Sequence, residues 1–381
     1  MNYHFDTIVI GGGTMGTAAA YYLSKKGQRV LVLEQFSIPN DKASHHGDTR
    51  MFRLANGDGE KYVPLGKAAL RLWEELEADT GKTLFQKSGA LSIGYSGSDF
   101  IKKAIESSVT HQLEYEKLTA DEIKDRWPGI TIPDDYYGCL DPNAGFLFSE
   151  ECIRTYKEEA EKLGAVLKEY EPATEIIRMR NEVKVITGKE QYSANHLIIT
   201  AGAWTHKLVK NINLPITIIR KTIGWFEPMK KGMYDHHFPC FVFKTESDGN
   251  YYGFPNFNGS GVKLGRMDEG HLSDPDKLNR EFGSFENDEG DLRRFLEKYM
   301  SNASGTMLNG KVCMFSMTPN EDFIVDRDPE FDNIIIAGGF SGRGFKFASV
   351  IGSILSDLVV EGETTHDISS FQIKRFMEQQ A

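Results

Sequence analysis

Short apolar runs that end in glycine punctuate this chain. Thr7-Ile8-Val9-Ile10 is the first, nearly continuous as in a parallel strand buried on both faces. Gly11-Gly12-Gly13-Thr14-Met15-Gly16 follows. Residues 17–26 are helical in composition and are closed by Gly27 at a C-terminal cap. Val30-Leu31-Val32-Leu33 is a second buried strand, ending on Glu34. Strand, glycine turn, helix and strand predict one βαβ unit. Leu197-Ile198-Ile199-Thr200 and Ile334-Ile335-Ile336-Ala337 are further apolar strands, each running into glycine.

Other stretches have a different period. Leu65, Ala68, Ala69, Leu72, Trp73 and Leu76 recur at helical spacing, which predicts an amphipathic helix over residues 62–78. Thr119-Ala120-Asp121-Glu122 reads as a capping box opening a short helix before Pro128. Ser149 is expected to cap another helix, running through Lys162 to Gly164. A hairpin is expected around Asn181-Glu182. Residues 213–317 are rich in aromatics and alternation, as in Phe241-Val242-Phe243 and Tyr251-Tyr252-Gly253-Phe254, with Gly, Asn and Asp turns. That pattern predicts an antiparallel sheet. The architecture expected is α/β plus β. A discontinuous, doubly wound Rossmann-like domain takes residues 1–82, 148–212 and 318–381. A mostly antiparallel β substrate domain takes residues 83–147 and 213–317.

Composition narrows the function classes. Forty-four basic against 55 acidic side chains give 44 − 55 = −11, which argues against binding to a nucleic-acid backbone. Cys139, Cys152, Cys240 and Cys313 lie far apart and form no disulfide framework, as suits a reducing cytoplasm. Residues 1–6 lack the features of a signal peptide, and no stretch approaches the ~20 apolar residues of a membrane span. A cytoplasmic protein is expected. The pairs His45-His46 and His236-His237 have neither helical spacing nor carboxylate partners, so no metal is assigned.

Gly11-x-Gly13-x-x-Gly16 is weak evidence alone but sits between a strand and a helix, with Glu34 ending the next strand. Gly11 permits the tight turn, Gly13 the approach of a pyrophosphate, and Gly16 close packing of helix on strand. The helix N-terminus offers free N–H groups to phosphate. Glu34 is placed to accept hydrogen bonds from a ribose 2′-OH, which disfavours a 2′-phosphorylated cofactor. A second glycine cluster, at Gly338, Gly339, Gly342 and Gly344, lies between an apolar strand and a helix expected to begin near Phe347.

Several further motifs occur in order. They are Ser44-His45-His46-Gly47-Asp48-Thr49-Arg50, Arg53, Thr200-Ala201-Gly202-Ala203-Trp204, Tyr251-Tyr252-Gly253-Phe254-Pro255, Cys313 and the stretch from Gly338 to Lys346. Together they resemble the monomeric sarcosine oxidase and N-methyltryptophan oxidase family of flavoproteins, over essentially the whole chain. The resemblance implies a monomeric oxidase that carries FAD covalently through Cys313 and oxidises a small secondary amine, an N-methyl amino acid, with O2. It implies that Arg53 and Lys346 bind the substrate carboxylate and that Lys263 lies near flavin N5. Arg50 and His46, with Thr49, would lie near the isoalloxazine ring, and Tyr252 in the substrate pocket. It also puts Gly11, Gly13, Thr14, Met15, Gly16, Glu34, Ser44, Arg50, Ala201, Gly202, Trp204, Gly342, Gly344, Phe345 and Lys346 against FAD.

The residues support parts of this reading independently. Arg suits bidentate carboxylate capture, and an acidic protein that turns over an amino acid needs a local cationic pocket. A lysine facing a flavin would favour electron transfer to O2 by stabilising developing negative charge. Three positions depart from the family: Met267 and Arg343 replace histidines, and Phe315 replaces a tyrosine. These changes should reshape the substrate pocket. They leave open a different secondary or cyclic amine, another electron acceptor, or a flavin-bound protein that is not an enzyme.

Overall fold

The computed structural model describes residues 3–54 and 59–378. Its first sheet grows from the βαβ unit. Strand β1 (Tyr3–Ile10) pairs in parallel with β2 (Val30–Leu33) on one side and with Gln191–Ile199 on the other. Gln191–Ile199 pairs in turn with Ile334–Gly338, again in parallel. β1 starts earlier than its apolar run, because Tyr3, His4 and Phe5 still find ladder partners in Tyr192, Ser193 and Ala194. The hairpin about residues 181–182 forms as expected, between Ala173–Arg178 and Val183–Thr187. Among the described residues the sheet has eight strands.

Helix α1 (Thr14–Lys25) begins inside the glycine fingerprint, three residues before the expected start at 17. Gly27 follows its C-terminus with φ +78°, the left-handed value expected of it. α1 packs against Ala348–Val360, and a Cβ on Gly352 would lie 2.6 Å from the Ala18 Cβ, so the glycine sets how closely the two helices approach. These helices, with Tyr62–Thr80 and Ser149–Lys162, bury Ala18, Trp73, Tyr156 and Ile351 in one apolar core beneath the sheet.

The second sheet has nine strands and is antiparallel except where Cys240–Lys244 runs parallel to Ala90–Tyr95. It draws strands from both 83–147 and 213–317. Thr217–Phe226 pairs along one edge with Val262–Arg266 and His271–Ser273, and along the other with Met307–Met317. A small third sheet joins Thr49–Phe52, Gly145–Phe148 and Phe85–Lys87.

Two capping expectations met different outcomes. The box at Thr119 is present: its hydroxyl accepts the Glu122 N–H, and the Glu122 carboxylate accepts the Thr119 N–H at 2.7 Å. Ser149 is not a side-chain cap. Phe148 is held extended by pairing with Thr49, so the cap position falls on Phe148 and Ser149 enters the first turn. Its hydroxyl donates instead to Glu150 Oε2 at 2.6 Å.

Candidate active site

The glycine fingerprint is shaped by contacts no side chain could share. Gly11 has φ +100°, and a Cβ there would lie 2.5 Å from the Thr200 carbonyl oxygen. A Cβ on Gly16 would lie 1.8 Å from the Gly11 carbonyl oxygen. Gly13 occupies the cap position of α1 without any side-chain cap, leaving the first-turn N–H groups open to a ligand. Glu34 is buried at the end of β2, where Oε2 accepts the Gly12 N–H at 2.7 Å and Oε1 the Phe36 N–H at 2.9 Å. Burial pushes its carboxyl upward against these bonds. Each oxygen keeps a further lone pair for a ribose hydroxyl. The second glycine turn bends through left-handed values at Gly339, Ser341 and Gly342. A Cβ on Gly342 would lie 2.5 Å from the Phe315 ring.

Both turns open on one cleft. Its wall includes Gly11, Gly13, Thr14, Met15, Glu34, Ser44, Arg50, Ala201, Gly202, Trp204, Gly342, Gly344 and Phe345. A bare helix N-terminus, two closely packed glycine turns and a buried carboxylate along one cleft fit a dinucleotide. Gly16 stands behind the wall, in the packing role expected of it. Lys263, His46, Tyr252, Cys313, Arg53 and Lys346 are likewise not on the wall.

Three of the expected site residues, Arg50, His46 and Lys263, gather at the loop before Thr49–Phe52. Arg50 closes it by donating to the carbonyls of Ser44, His46 and Thr49 at 2.7–2.8 Å. Lys263 is buried and turns its ammonium onto the same loop. It donates to Gly47 O at 2.5 Å, Thr49 O at 2.8 Å and Thr49 Oγ1 at 3.0 Å, and lies 4.5 Å from the Phe254 ring centre. Burial and the charge of Arg50 hold its pKa well below the usual lysine range. His46 is buried, and neither ring nitrogen has a partner among the described residues. Burial pushes His46 down to about 3 and His45 to about 4, so both rings are neutral near pH 7. An imidazole buried with open nitrogens suits a site completed by a ligand. Cys313 and Tyr252 are linked to this group electrostatically: the charges of Arg50 and Lys263 act on the thiol, and Arg50 and the thiol on the phenol. Burial is the largest influence on both and pushes each upward.

Arg53 and Lys346, 293 positions apart, form a second group. Lys346 Nζ donates to the Arg53 carbonyl at 3.0 Å, and Arg53 Nη1 donates to Ser92 Oγ at 3.2 Å. Both side chains are buried. The pattern of the chain gave no sign of two residues that matter here. Glu150 accepts the N–H groups of Gly47 at 2.7 Å and Asp48 at 3.1 Å, clamping the loop that Lys263 reaches. Burial pushes its carboxyl up, but the bonds from Ser149, Gly47 and Asp48 and the charge of Arg50 outweigh this and hold it at about 2. Trp73, read only as a core residue, donates its indole N–H to the Lys346 carbonyl at 2.9 Å.

The departures also have definite surroundings. Arg343 pairs with the Glu321 carboxylate at 2.9 Å and lies over the Tyr62 ring, so its charge is matched. Phe315 forms part of the cleft wall. The Met267 carbonyl accepts a bond from Lys221 at 2.7 Å.

A mixed sheet with a parallel centre whose first turn is built for a dinucleotide, joined to a mostly antiparallel sheet that reaches the same cleft, defines the class. The chain belongs to the FAD dependent oxidoreductase (DAO) family, whose model matches residues 6–358. Among individual proteins, it is 44% identical to monomeric sarcosine oxidase of Bacillus sp. (strain NS-129) over 379 residues, 98% of each chain. It is 36% identical to N-methyl-L-tryptophan oxidase of Yersinia pestis (strain Pestoides F) over 372 residues, 98% of this chain and 99% of the other. Two solved structures share the fold. NikD, an unusual amino acid oxidase of nikkomycin biosynthesis, superposes with TM-score 0.87 at 23% identity, covering 97% of this chain and 98% of NikD. L-proline dehydrogenase from P. horikoshii superposes with TM-score 0.87 at 21% identity, covering 100% and 99%.

Proposed function

We propose that this oxidoreductase oxidatively demethylates N-methyl amino acids, of the sarcosine or N-methyl-L-tryptophan type, with O2 as acceptor. The products are the amino acid, formaldehyde and H2O2. The observation that carries the reading is that Arg53 and Lys346, buried basic residues from distant parts of the chain, are brought together, with Lys346 Nζ on the Arg53 carbonyl. Near-complete alignment with relatives named for such substrates supports it.

FAD, when bound, would supply the two-electron redox chemistry between the N-methyl carbon and O2. The residues that would hold it are those of the cleft wall, with Gly16 and Lys346 behind them and Cys313 as the covalent anchor. Arg53 and Lys346 grip the substrate carboxylate and so orient the N-methyl group. Tyr252 borders the substrate, and neutral His46 leaves the amine free of a facing charge. Lys263, with the guanidinium of Arg50 beside it, would favour the negative charge that O2 acquires. We assign residues 1–82, 148–212 and 318–381 to the FAD-binding domain, and 83–147 and 213–317 to the substrate domain. The protein acts as a monomer in the cytoplasm. Buried free cysteines suit that compartment, and the relatives' name, monomeric sarcosine oxidase, suits that state.

Steady-state kinetics on an N-methyl amino acid and its methylamide test the carboxylate grip. Losing a charge-assisted bond costs about 1.5–3 kcal/mol, or roughly ten- to hundredfold. Arg53→Ala and Lys346→Ala should each lose that much kcat/KM on the acid and far less on the amide. Equal losses on both substrates would show that neither residue reads the carboxylate.

A further inference from the structure

Lys221 is a buried cation with no part in the mechanism above. It lies on Thr217–Phe226 directly opposite Cys313 in the antiparallel ladder. Opposed residues project to the same face, with Cβ atoms about 4.5–5.5 Å apart. Lys221 is 4% exposed and Cys313 2% exposed. The ammonium donates to the carbonyls of Met267 and Glu269 and lies 5.2 Å from the centre of the Phe315 ring, two residues along from Cys313. Among the described residues these acceptors are carbonyl oxygens rather than a bonded counter-ion, and the nearby charges of Asp268, Glu269 and Arg266 also act on the ammonium. Lys221 therefore joins two of the family departures, Met267 and Phe315, at the residue proposed to carry the flavin.

We propose that Lys221 is a positioning residue for flavin attachment, its charge favouring the Cys313 thiolate that joins FAD. The proposal rests on the reading that Cys313 is the covalent anchor. In that step the thiol S–H and one C–H of the flavin 8α-methyl break, and an S–C bond forms. Two electrons and two protons pass to the flavin ring, which O2 then reoxidises, leaving as H2O2. The thiolate is the competent nucleophile, and burial opposes it. The charges facing Cys313 are Arg50 from Thr49–Phe52, Lys263 from Val262–Arg266, and Lys221 and Arg220 from Thr217–Phe226. Arg280 and Tyr252 also feel its charge. Arg50 and Lys263 also hold the loop at 44–50, and Arg220 is paired with Asp288. Lys221 is the cation whose removal leaves both of those arrangements intact. Burial pushes its own pKa down to about 8, so it is charged at pH 7 and loses that charge just above.

The test uses the full chain produced under riboflavin depletion and then given FAD. Acid-stable flavin is followed by intact mass between pH 6 and 9.5, and total FAD uptake is measured in parallel. Lys221→Gln keeps a donor for the two carbonyls but removes the charge. It should take up FAD normally yet form the thioether about ten- to hundredfold more slowly near pH 7. The wild-type and Gln rates should converge toward pH 9.5, where Lys221 itself is largely neutral. Lys221→Arg should attach flavin at close to the wild-type rate near pH 7 and keep its advantage to pH 9.5, because a guanidinium does not deprotonate there. Attachment by Lys221→Gln at the wild-type rate near pH 7 would overturn the proposal. If Lys221→Gln takes up no FAD, the Arg variant decides: a profile that falls back to the wild-type rate toward pH 9.5 overturns it. A wild-type chain that never forms acid-stable flavin overturns the Cys313 reading and this proposal together.

Discussion

Lys263 commits its ammonium hydrogens to a single loop, through Gly47 O and both oxygens of Thr49. The oxygen role proposed for Lys263 therefore stands beside a structural one, and the two separate in experiment. Lys263→Met should leave flavin reduction by amine within a few-fold of wild type while slowing reoxidation by orders of magnitude. Stopped-flow traces with normal reoxidation would remove Lys263 from the oxygen step. Glu150 holds the other side of the loop. Its folded pKa of about 2 lies below the reference 4.5, so its contribution is fully present above about pH 4.5 and is lost as pH falls toward 2. The shift corresponds to about 3 kcal/mol. Glu150→Gln should be destabilised in urea melts at pH 7 by about 1–3 kcal/mol, with the gap closing near pH 2.5. A gap independent of pH would mean that the carboxylate charge is not what holds the loop. Nothing around position 150 in the chain marks this role, because its partners are backbone N–H groups about a hundred positions away.

Elements explain what was legible and what was not. The βαβ unit could be read because its strand, turn, helix and carboxylate all fall within residues 3–34, so each local signal constrains the next. Thr49–Phe52 could not: Thr-Arg-Met-Phe has no clear period, and its partner Gly145–Phe148 lies nearly a hundred positions on. Ser149 misled for a related reason, since strand pairing at Phe148 displaced the cap by one residue. The glycine turn gives the sharpest element-level test. In Gly16→Ala the new methyl group would meet the Gly11 carbonyl oxygen at 1.8 Å, a backbone atom that cannot rotate away. Helix α1 must shift, and thermal melts should show a loss of at least about 3 kcal/mol together with much reduced FAD content. Gly27→Ala is the control. Its φ is +78° but no atom lies within 4 Å of the new carbon, so only about 1 kcal/mol should be lost and FAD content retained. Equal FAD content in the two variants would mean that close packing at Gly16 does not shape the cofactor site.

On the scale of the whole molecule, two sheets built from interleaved stretches bring distant residues to one cleft. Arg53 and Lys346 illustrate why such a site is hidden in a single chain. Neither has a local pattern, and only the resemblance paired them before the fold placed Lys346 Nζ on the Arg53 carbonyl. The same topology sets Lys221 against Cys313, a register that composition and spacing did not reveal. The acidic surface remains compatible with the proposed chemistry, because Arg53, Lys263 and Lys346 are buried rather than spread over the exterior. The central claim is that the bound flavin takes electrons from the N-methyl carbon of an amino acid and passes them to O2. Anaerobic mixing of the holoenzyme with sarcosine and with N-methyl-L-tryptophan, while following flavin absorbance, tests it most directly. The flavin should bleach with at least one of them, and on admission of air the colour should return with one H2O2 and one formaldehyde per flavin. A flavin that stays oxidised with both, or that bleaches and reoxidises without formaldehyde, would contradict the account.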